Sequence, residues 1–316
     1  MFMPNPVVSV VIPLFNKEDY IGATLHSIYK QTYNEIELIV IDDSSTDSSL
    51  TIVQNYLKEF GGRFKRIVIR SRENTGQSGA RDDGIAESLG DYLALIDADD
   101  LWHADKIKLQ VEFLERNKSI DLVLCNYFML FKSPIATKAI RLKPVEKKLR
   151  SWLLTTGYGG ALESTGMMRS STLKAVGGFD REIQMCSGLD LAFKLNINGK
   201  IGCIDRYLCA YRVLQDGWHG NKQDLLSSYF RLFTNVTLYG SYEKVAKINL
   251  SIHFAMWNLR NNSTFENFLT FALKAFRHPI LMPKYILKTT HRVIIAQLRG
   301  LIRRKEASVF RILAGL

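Results

Sequence analysis

Several things are missing or scarce in this 316-residue sequence. No window of about 18 uninterrupted apolar residues occurs, so no segment reads as a transmembrane helix. The first residues show no basic patch followed by an apolar run and a small-residue cleavage site, so no secretory leader is expected. There are only four cysteines (Cys125, Cys186, Cys203 and Cys209), none in CxxC spacing. They read as reduced, mostly buried thiols of a cytosolic protein. The glycine-rich nucleotide loops are absent as well. The first strand-like run is followed by Pro13-Leu14-Phe15-Asn16-Lys17 and not by GxGxxG, which argues against a dehydrogenase, and no GxxxxGK[ST] is present, which excludes a P-loop kinase. Acids are nearly missing from the end of the chain. Between Asn267 and Leu316 ten Lys or Arg face one acid, Glu306, so that stretch holds nine of the eleven net positive charges. A basic partner surface is therefore a property of the tail and not of the main domain.

What is present is the composition of a folded soluble protein, 47% hydrophobic and 23% charged. The first half alternates two periodicities. Strand-like runs at Val7–Ile12, Ile36–Ile41, Arg66–Arg70, Asp91–Ile96 and Leu122–Tyr127 are separated by helical patterns at Asp19–Gln31, after Thr46-Asp47-Ser48, at Gln77–Leu89 and at His103–Asn117. This order predicts an α/β domain, a mostly parallel twisted sheet flanked by helices in the Rossmann-like manner. The stretch from Phe128 to Arg150 reads as an irregular basic excursion, Leu189–Asn196 as a helix and Ile201–Tyr211 as a closing strand pair. The expected organisation is a nucleotide-binding and catalytic domain over 1–222 and a helical, basic appendage over 223–316.

The run Asp97-Ala98-Asp99-Asp100 follows directly on a buried strand. Strand ends of open α/β sheets are where ligands bind. Carboxylates so close together repel unless a cation offsets them, and Mg²⁺ takes one or two carboxylates plus phosphate oxygens. A solvated turn with helix-capping acids is the competing reading. Phe15, after strand one, is placed to stack on a base or to enter the core. Asp43, after strand two, is placed to accept hydrogen bonds from a base or ribose. Arg81, in the first turns of a helix, is placed to meet a diphosphate or to form a surface ion pair. Asn74 and Gly76 suit a loop that approaches a ligand closely.

Taken in order, Val8-Ser9-Val10-Val11-Ile12-Pro13, Asp42-Asp43-Ser44, Asn74-Thr75-Gly76, Ala80-Arg81-Asp82-Asp83-Gly84, Asp97-Ala98-Asp99-Asp100 and Gly177-Gly178-Phe179-Asp180 closely resemble family 2 of the glycosyltransferases, over about residues 7 to 200. The resemblance implies a GT-A fold and inverting transfer from a nucleotide-diphosphate sugar, a UDP-sugar being favoured. It implies a nucleotide-sugar site of Pro13, Phe15, Asn16, Asp43, Asn74, Gly76, Arg81, Asp97 and Ala98. Asp99, with Asp97 and His219, would hold Mg²⁺ or Mn²⁺, which would stabilise the departing diphosphate. The family's base lies in a pattern near Glu-Asp-x-Asp-Leu. Here that segment is Ser187-Gly188-Leu189-Asp190-Leu191, so the acidic pair is replaced, Asp190 is the first candidate base and Asp180 the second.

Over 286–304, Leu287, Ile294, Leu298 and Leu301 share one helical face and Lys288, Arg292, Arg299 and Arg303 another. That pattern suits an anionic bilayer surface, with a helix packed on its own domain as the alternative; no nucleic-acid motif accompanies the charge. The expected protein is a peripheral enzyme on the cytoplasmic face of the cell membrane, acting on a glycan or lipid-linked acceptor of cell-envelope polysaccharide. A catalytically impaired sugar-nucleotide scaffold and a sugar nucleotidyltransferase are the alternatives.

Overall fold

A computed structural model describes residues 5–131, 137–142, 162–184, 187–188, 190–191, 194, 201–214, 227–228, 231–232 and 235. All of them belong to the first of the two units into which the chain divides, Met1–Glu243. The expected boundary at 222/223, the tail helix over 286–304 and His219 lie outside the described residues. Among the described residues, no helix is long and apolar enough to cross a membrane.

The first half follows the alternation in the sequence. Strand β1 (Val8–Leu14) is followed by α1 (Ile21–Tyr29), β2 (Ile36–Asp42), α2 (Ser49–Phe60), β3 (Arg66–Ser71), α3 (Gln77–Glu87) and β4 (Tyr92–Leu95). The four strands are parallel in the order β3-β2-β1-β4. β1 and β2 are buried on both faces, which is why they read as continuous apolar runs and not as alternating ones. α1 and α2 turn apolar residues inward, Ile21, Leu25 and Ile28 of α1 and Val53 and Leu57 of α2, whereas α3 buries mainly small and polar residues. Helix α3 packs tightly on the sheet: a Cβ at Gly84 would stand 2.2 Å from Val11 Cγ1.

β1 does not stop at Pro13, as its sequence suggested, but runs on to Leu14. Asp43 N donates to Leu14 O and Ile96 N to Val11 O. By alternation Pro13 therefore faces the β4 side, where pairing has already ended at Val11–Leu95. A residue with no N–H is harmless there.

The second half departs from the simple alternation. It comprises β5 (Leu101–Trp102), α4 (Lys106–Arg116), β6 (Leu122–Leu130), β7 (Thr137–Ile140), α5 (Leu162–Thr165), β8 (Met167–Arg169), α6 (Ser170–Ala175) and β9 (Ile201–Arg212). The sheet continues β4-β8-β6-β9-β5, with β7 on β6. β8 runs antiparallel to both β4 and β6, β5 antiparallel to β9, and β9 parallel to β6. The sheet is thus mixed, all-parallel through its first four strands and mostly antiparallel beyond them except for the β6–β9 pair. Ile201–Arg212 is a single long strand where the sequence suggested a pair. It carries a bulge opposite Cys125–Tyr127, and this irregularity mimics a turn in the sequence pattern.

Between β1 and β4 the strand order reverses. The chain steps outward from β1 to β3, and α3 returns it to the other side of β1. Such a switch point opens a crevice at the carboxyl ends of the strands.

Candidate active site

The loops leaving β1 and β2 meet at that crevice and are laced together. Asn16 accepts from Thr46 N through Oδ1, at 2.8 Å, and its own N donates to Ser45 Oγ. Lys17 N donates to Ser49 Oγ at 2.6 Å, and Glu18 N to Asp47 Oδ2. Asn16 and Ser44 both take positive φ, 48° and 64°, a conformation that side chains rarely adopt outside constrained loops. Phe15 stands at the rim with 44% of its surface exposed, so it is not a core residue. The ring is open for stacking.

Asp43 is buried. Its carboxylate accepts from Thr75 N at 3.0 Å and Gly76 N at 2.9 Å, and Gly76 N also meets Asn74 Oδ1. Asp43 therefore shapes the 74–76 loop at the start of α3. Gly76 is needed there for its φ of +87°. Asp42 accepts from Ser45 N and shapes the loop after β2.

The Asp97–Asp100 turn is clamped from four directions. Thr24 Oγ1 of α1 donates to the carbonyls of Ala98 and Asp100, each at 2.9 Å. Asp97 N donates to Ser164 Oγ, and Trp102 Nε1 to Ser164 O, in α5. Arg212, at the end of β9, donates its N to Asp100 Oδ1 at 2.8 Å and its Nε to Asp99 O at 2.9 Å. Lys17 Nζ lies 2.8 Å from Asp99 Oδ2.

The three carboxylates have separate electrostatic fates. Asp100 is fully buried, and burial, with Asp97 and Asp99 alongside, pushes its carboxyl well above the ordinary range. Asp99 is raised by burial and by Asp97, with Lys17 opposing. Asp97 gives one oxygen to Arg81 Nη2 at 2.6 Å. The Asp97 and Asp99 side chains keep 23% and 14% exposure, and they are the pair that faces the crevice.

Arg81 departs from its expected role. Its side chain is 3% exposed and is enclosed by Asp97, by Glu163 at 3.4 Å and by Ser187 Oγ at 2.7 Å, with the Phe179 ring 5.8 Å away. Burial alone would lower its pKa, but Asp97 and Glu163 raise it, so it stays charged. Enclosed by two carboxylates, it orients Asp97 and is not an open phosphate ligand. Nothing in its own helix signals this, because the partners come from 16, 82 and 106 positions further along.

Asp180 is also occupied. Its carboxylate accepts from Glu182 N, Arg231 Nε at 2.9 Å and Asn235 Nδ2 at 2.6 Å, and these bonds hold it below the ordinary range although burial opposes them. It ties the Gly177–Gly178 turn to residues 231–235. Asp190 is fully buried, with Lys194 Nζ 2.8 Å from Oδ2. Residues 187 and 190 are both helical, so Asp190 lies one turn from Ser187 on the same face.

The sequence reading missed Glu163, Ser164 and Thr24, and gave Lys17 no role. None carries a local signal: Glu163 is a lone acid in a short apolar and small-residue run, and Thr24 sits mid-helix.

Among the described residues no group of three His, Cys, Asp or Glu side chains converges as a ready metal cage. The two crevice-facing carboxylates, an all-oxygen donor set, still suit Mg²⁺ or Mn²⁺, which keep water and substrate phosphate in the remaining positions.

The family model for glycosyl transferase family 2 matches residues 9–172, more than half of the chain. The chain belongs to that family. Among curated members, the putative teichuronic acid biosynthesis glycosyltransferase TuaG of Bacillus subtilis is 40% identical over 111 residues, 35% of this chain and 42% of TuaG. The Escherichia coli UDP-Glc:alpha-D-GlcNAc-diphosphoundecaprenol beta-1,3-glucosyltransferase WfaP is 37% identical over 123 residues, 39% of this chain and 47% of WfaP. The match thus spans under half the length of these two relatives. Among solved structures, S. aureus TarS 1-349 in complex with UDP-GlcNAc superposes with a TM-score of 0.69 at 19% identity, covering 86% of this chain and 81% of that one. The mixed curled sheet with flanking helices is therefore the GT-A fold.

Proposed function

We propose that the protein transfers a sugar from a UDP-sugar, with inversion, to a hydroxyl of a lipid-linked or cell-envelope glycan acceptor. The observation that carries this reading is the pair Asp97 and Asp99, clamped at the β1/β4 switch point with one face left toward the crevice. Phe15 offers a face to the base, and the Asp43-shaped 74–76 loop a backbone surface to the ribose. The UDP-GlcNAc bound by TarS and the lipid diphosphate in WfaP's name support the donor and acceptor classes.

Asp97 and Asp99 would hold a divalent cation, which when bound would offset charge on the leaving diphosphate. Lys17, beside Asp99, adds a protein cation on the same side. Asp97, fixed by Arg81, is oriented toward sugar or ribose hydroxyls. The proton of the acceptor hydroxyl passes to a carboxylate. Asp190, one turn from Ser187 and ion-paired with Lys194, is the candidate.

The test is a thermal-shift and transfer assay with UDP, UDP-glucose and UDP-GlcNAc, with and without Mn²⁺. A ligand at about 100 times its Kd stabilises by about 2.7 kcal/mol. Asp190→Asn is expected to keep donor binding and to lower kcat by at least about a hundredfold. Failure of every nucleotide sugar to bind or react would refute the reading. The basic stretch 267–316 would hold the enzyme on the inner face of an anionic membrane. Equal flotation on anionic liposomes with and without residues 280–316 would refute that part.

A further inference from the structure

We propose that Glu163 is a positioning residue of the donor site: its carboxylate is the second counter-charge that fixes Arg81 and, through Arg81, the orientation of Asp97. The proposal rests on the UDP-sugar reading above and adds a residue that the sequence motifs do not contain.

The geometry is a closed charge cluster. Arg81 stands between Asp97, at 2.6 Å from Nη2, and Glu163, at 3.4 Å from Nη1. Ser187 Oγ ties the two sides, accepting from Arg81 Nη1 at 2.7 Å and donating to Glu163 Oε1 at 3.3 Å. Arg81 Nε and Glu163 Oε2 are both buried without a hydrogen-bond partner, so charge, not hydrogen-bond saturation, holds this group together. A guanidinium withdrawn from water carries a desolvation cost that a single, partly exposed carboxylate offsets poorly. Asp97 alone is that carboxylate, and Glu163 supplies the buried complement.

The same short turn acts on the backbone of the motif. Ser164, the next residue, accepts from Asp97 N through Oγ and from Trp102 Nε1 through its carbonyl. Thr165 O then accepts from Gln110 Nε2 at 2.9 Å. α5 thus fixes the Asp97 side chain through Arg81 and its main chain directly. With Glu163 neutralised, Arg81 has only Asp97 and is drawn further onto it, which turns the carboxylate away from the crevice.

The exchange of Ser187 for an acid makes the idea testable by moving the charge. Ser187 Oγ already lies 2.7 Å from Arg81, so a carboxylate at 187 reaches the same guanidinium. Glu163→Gln, Glu163→Asp and the double variant Glu163→Gln/Ser187→Asp are compared with wild type for Tm, UDP-sugar Kd by calorimetry, and donor KM and kcat. Glu163→Gln is expected to weaken UDP-sugar binding about tenfold, to raise donor KM and lower kcat, and to lower Tm. Glu163→Asp should lose less, and the double variant should regain most of the donor affinity. A merely structural role would move Tm and leave donor KM alone.

Glu163→Gln with wild-type donor KM and kcat overturns the proposal. If Glu163→Gln does not fold, the double variant must restore folding and donor binding; failure to restore them overturns it too. A wild type that binds no nucleotide sugar defeats the donor reading itself, whereas a binding wild type with an indistinguishable Glu163→Gln defeats only the role of Glu163.

Discussion

Removing Lys17 isolates what holds Asp99 before substrate arrives. The ammonium lies 2.8 Å from Asp99 Oδ2, with 26% of the Lys17 side chain and 14% of the Asp99 side chain exposed. Two unit charges about 4 Å apart interact by about 4 kcal/mol at an effective dielectric of about 20. Exposed pairs measure about 1 kcal/mol or less once solvent screening and side-chain entropy are included. This half-buried pair lies between the two figures, nearer the lower one, and Lys17→Met is expected to lower stability by about 1–2 kcal/mol. The more telling effect concerns the cation. In the wild type, a divalent ion entering at Asp99 must displace or repel the ammonium. In Lys17→Met that opposition is gone, and about 1.4 kcal/mol corresponds to tenfold in affinity. Mn²⁺ titration of the nucleotide-free protein, followed by electron paramagnetic resonance, should therefore show binding about five- to tenfold tighter in the variant. UDP binding without metal should weaken, because the diphosphate loses a protein cation beside Asp99. A folded Lys17→Met with unchanged Mn²⁺ affinity would mean that the ion does not enter at Asp99. A wild type that takes no Mn²⁺ even with UDP would refute the carboxylate pair as a metal site.

Three further outcomes are expected. Glu37, buried in β2, accepts from Ser9, Leu89 N, Gly90 N and Arg66; burial would raise its carboxyl, but these bonds hold it below the ordinary range. Its stabilisation is present above the unfolded carboxyl range and is lost as pH falls through the depressed folded value. Glu37→Gln should therefore cost about 2 kcal/mol at pH 7 in urea unfolding, with the gap closing toward pH 3, and a gap independent of pH would refute this. Asp100 is shifted the other way, so its contribution is fully present below the unfolded carboxyl range and is lost as pH rises through the raised folded value. Asp100→Asn keeps an acceptor for Arg212 N, and in EDTA it should raise stability by about 1–2 kcal/mol at pH 8 with little effect at pH 4; destabilisation at pH 8 would show that the buried carboxylate is compensated. Gly84→Ala places a methyl 2.2 Å from Val11 Cγ1 and should cost about 1–3 kcal/mol in thermal unfolding. Because it lifts the helix that carries Arg81, it should also raise donor KM, and an unchanged KM would show that α3 can shift without disturbing Asp97.

The first four strands and their helices were legible because each is a local statement. β1 and β2 are buried on both faces, α1 and α2 carry one inward apolar stripe, and short connections leave little choice of topology. β8 and β9 were not legible in the same way. β8 is three residues long and is defined by antiparallel partners 75 positions earlier and 44 positions earlier, through Met168–Leu93 and Met167–Val123. β9 bulges at Asp205 and Arg206, where a polar pair interrupts the apolar run. Asp205 there receives Asn126 Nδ2 at 2.9 Å and Arg141 Nε at 2.8 Å, so an apparent turn is a branch point for the 141–142 segment.

The site divides along the same line. That a carboxylate run sits at a strand end could be read from residues 91–100 alone. Which carboxylate does what could not, because each answer comes from a different part of the chain: Asp97 from α3 and α5, Asp99 from the β1 loop, Asp100 from β9. Arg81 shows the consequence most sharply. A cation in the first turns of a helix beside a glycine loop looks like a phosphate ligand, and an exposed one would be. Its burial under Glu163 and Ser187 turns the same residue into the support of a ligand. Local chemistry therefore identified the family and the crevice, while the division of labour among its charges is set by contacts across more than sixty residues. It follows that a single substitution such as Glu163→Gln, far in sequence from every recognisable motif, should disturb donor binding more than most changes within the motifs' own loops.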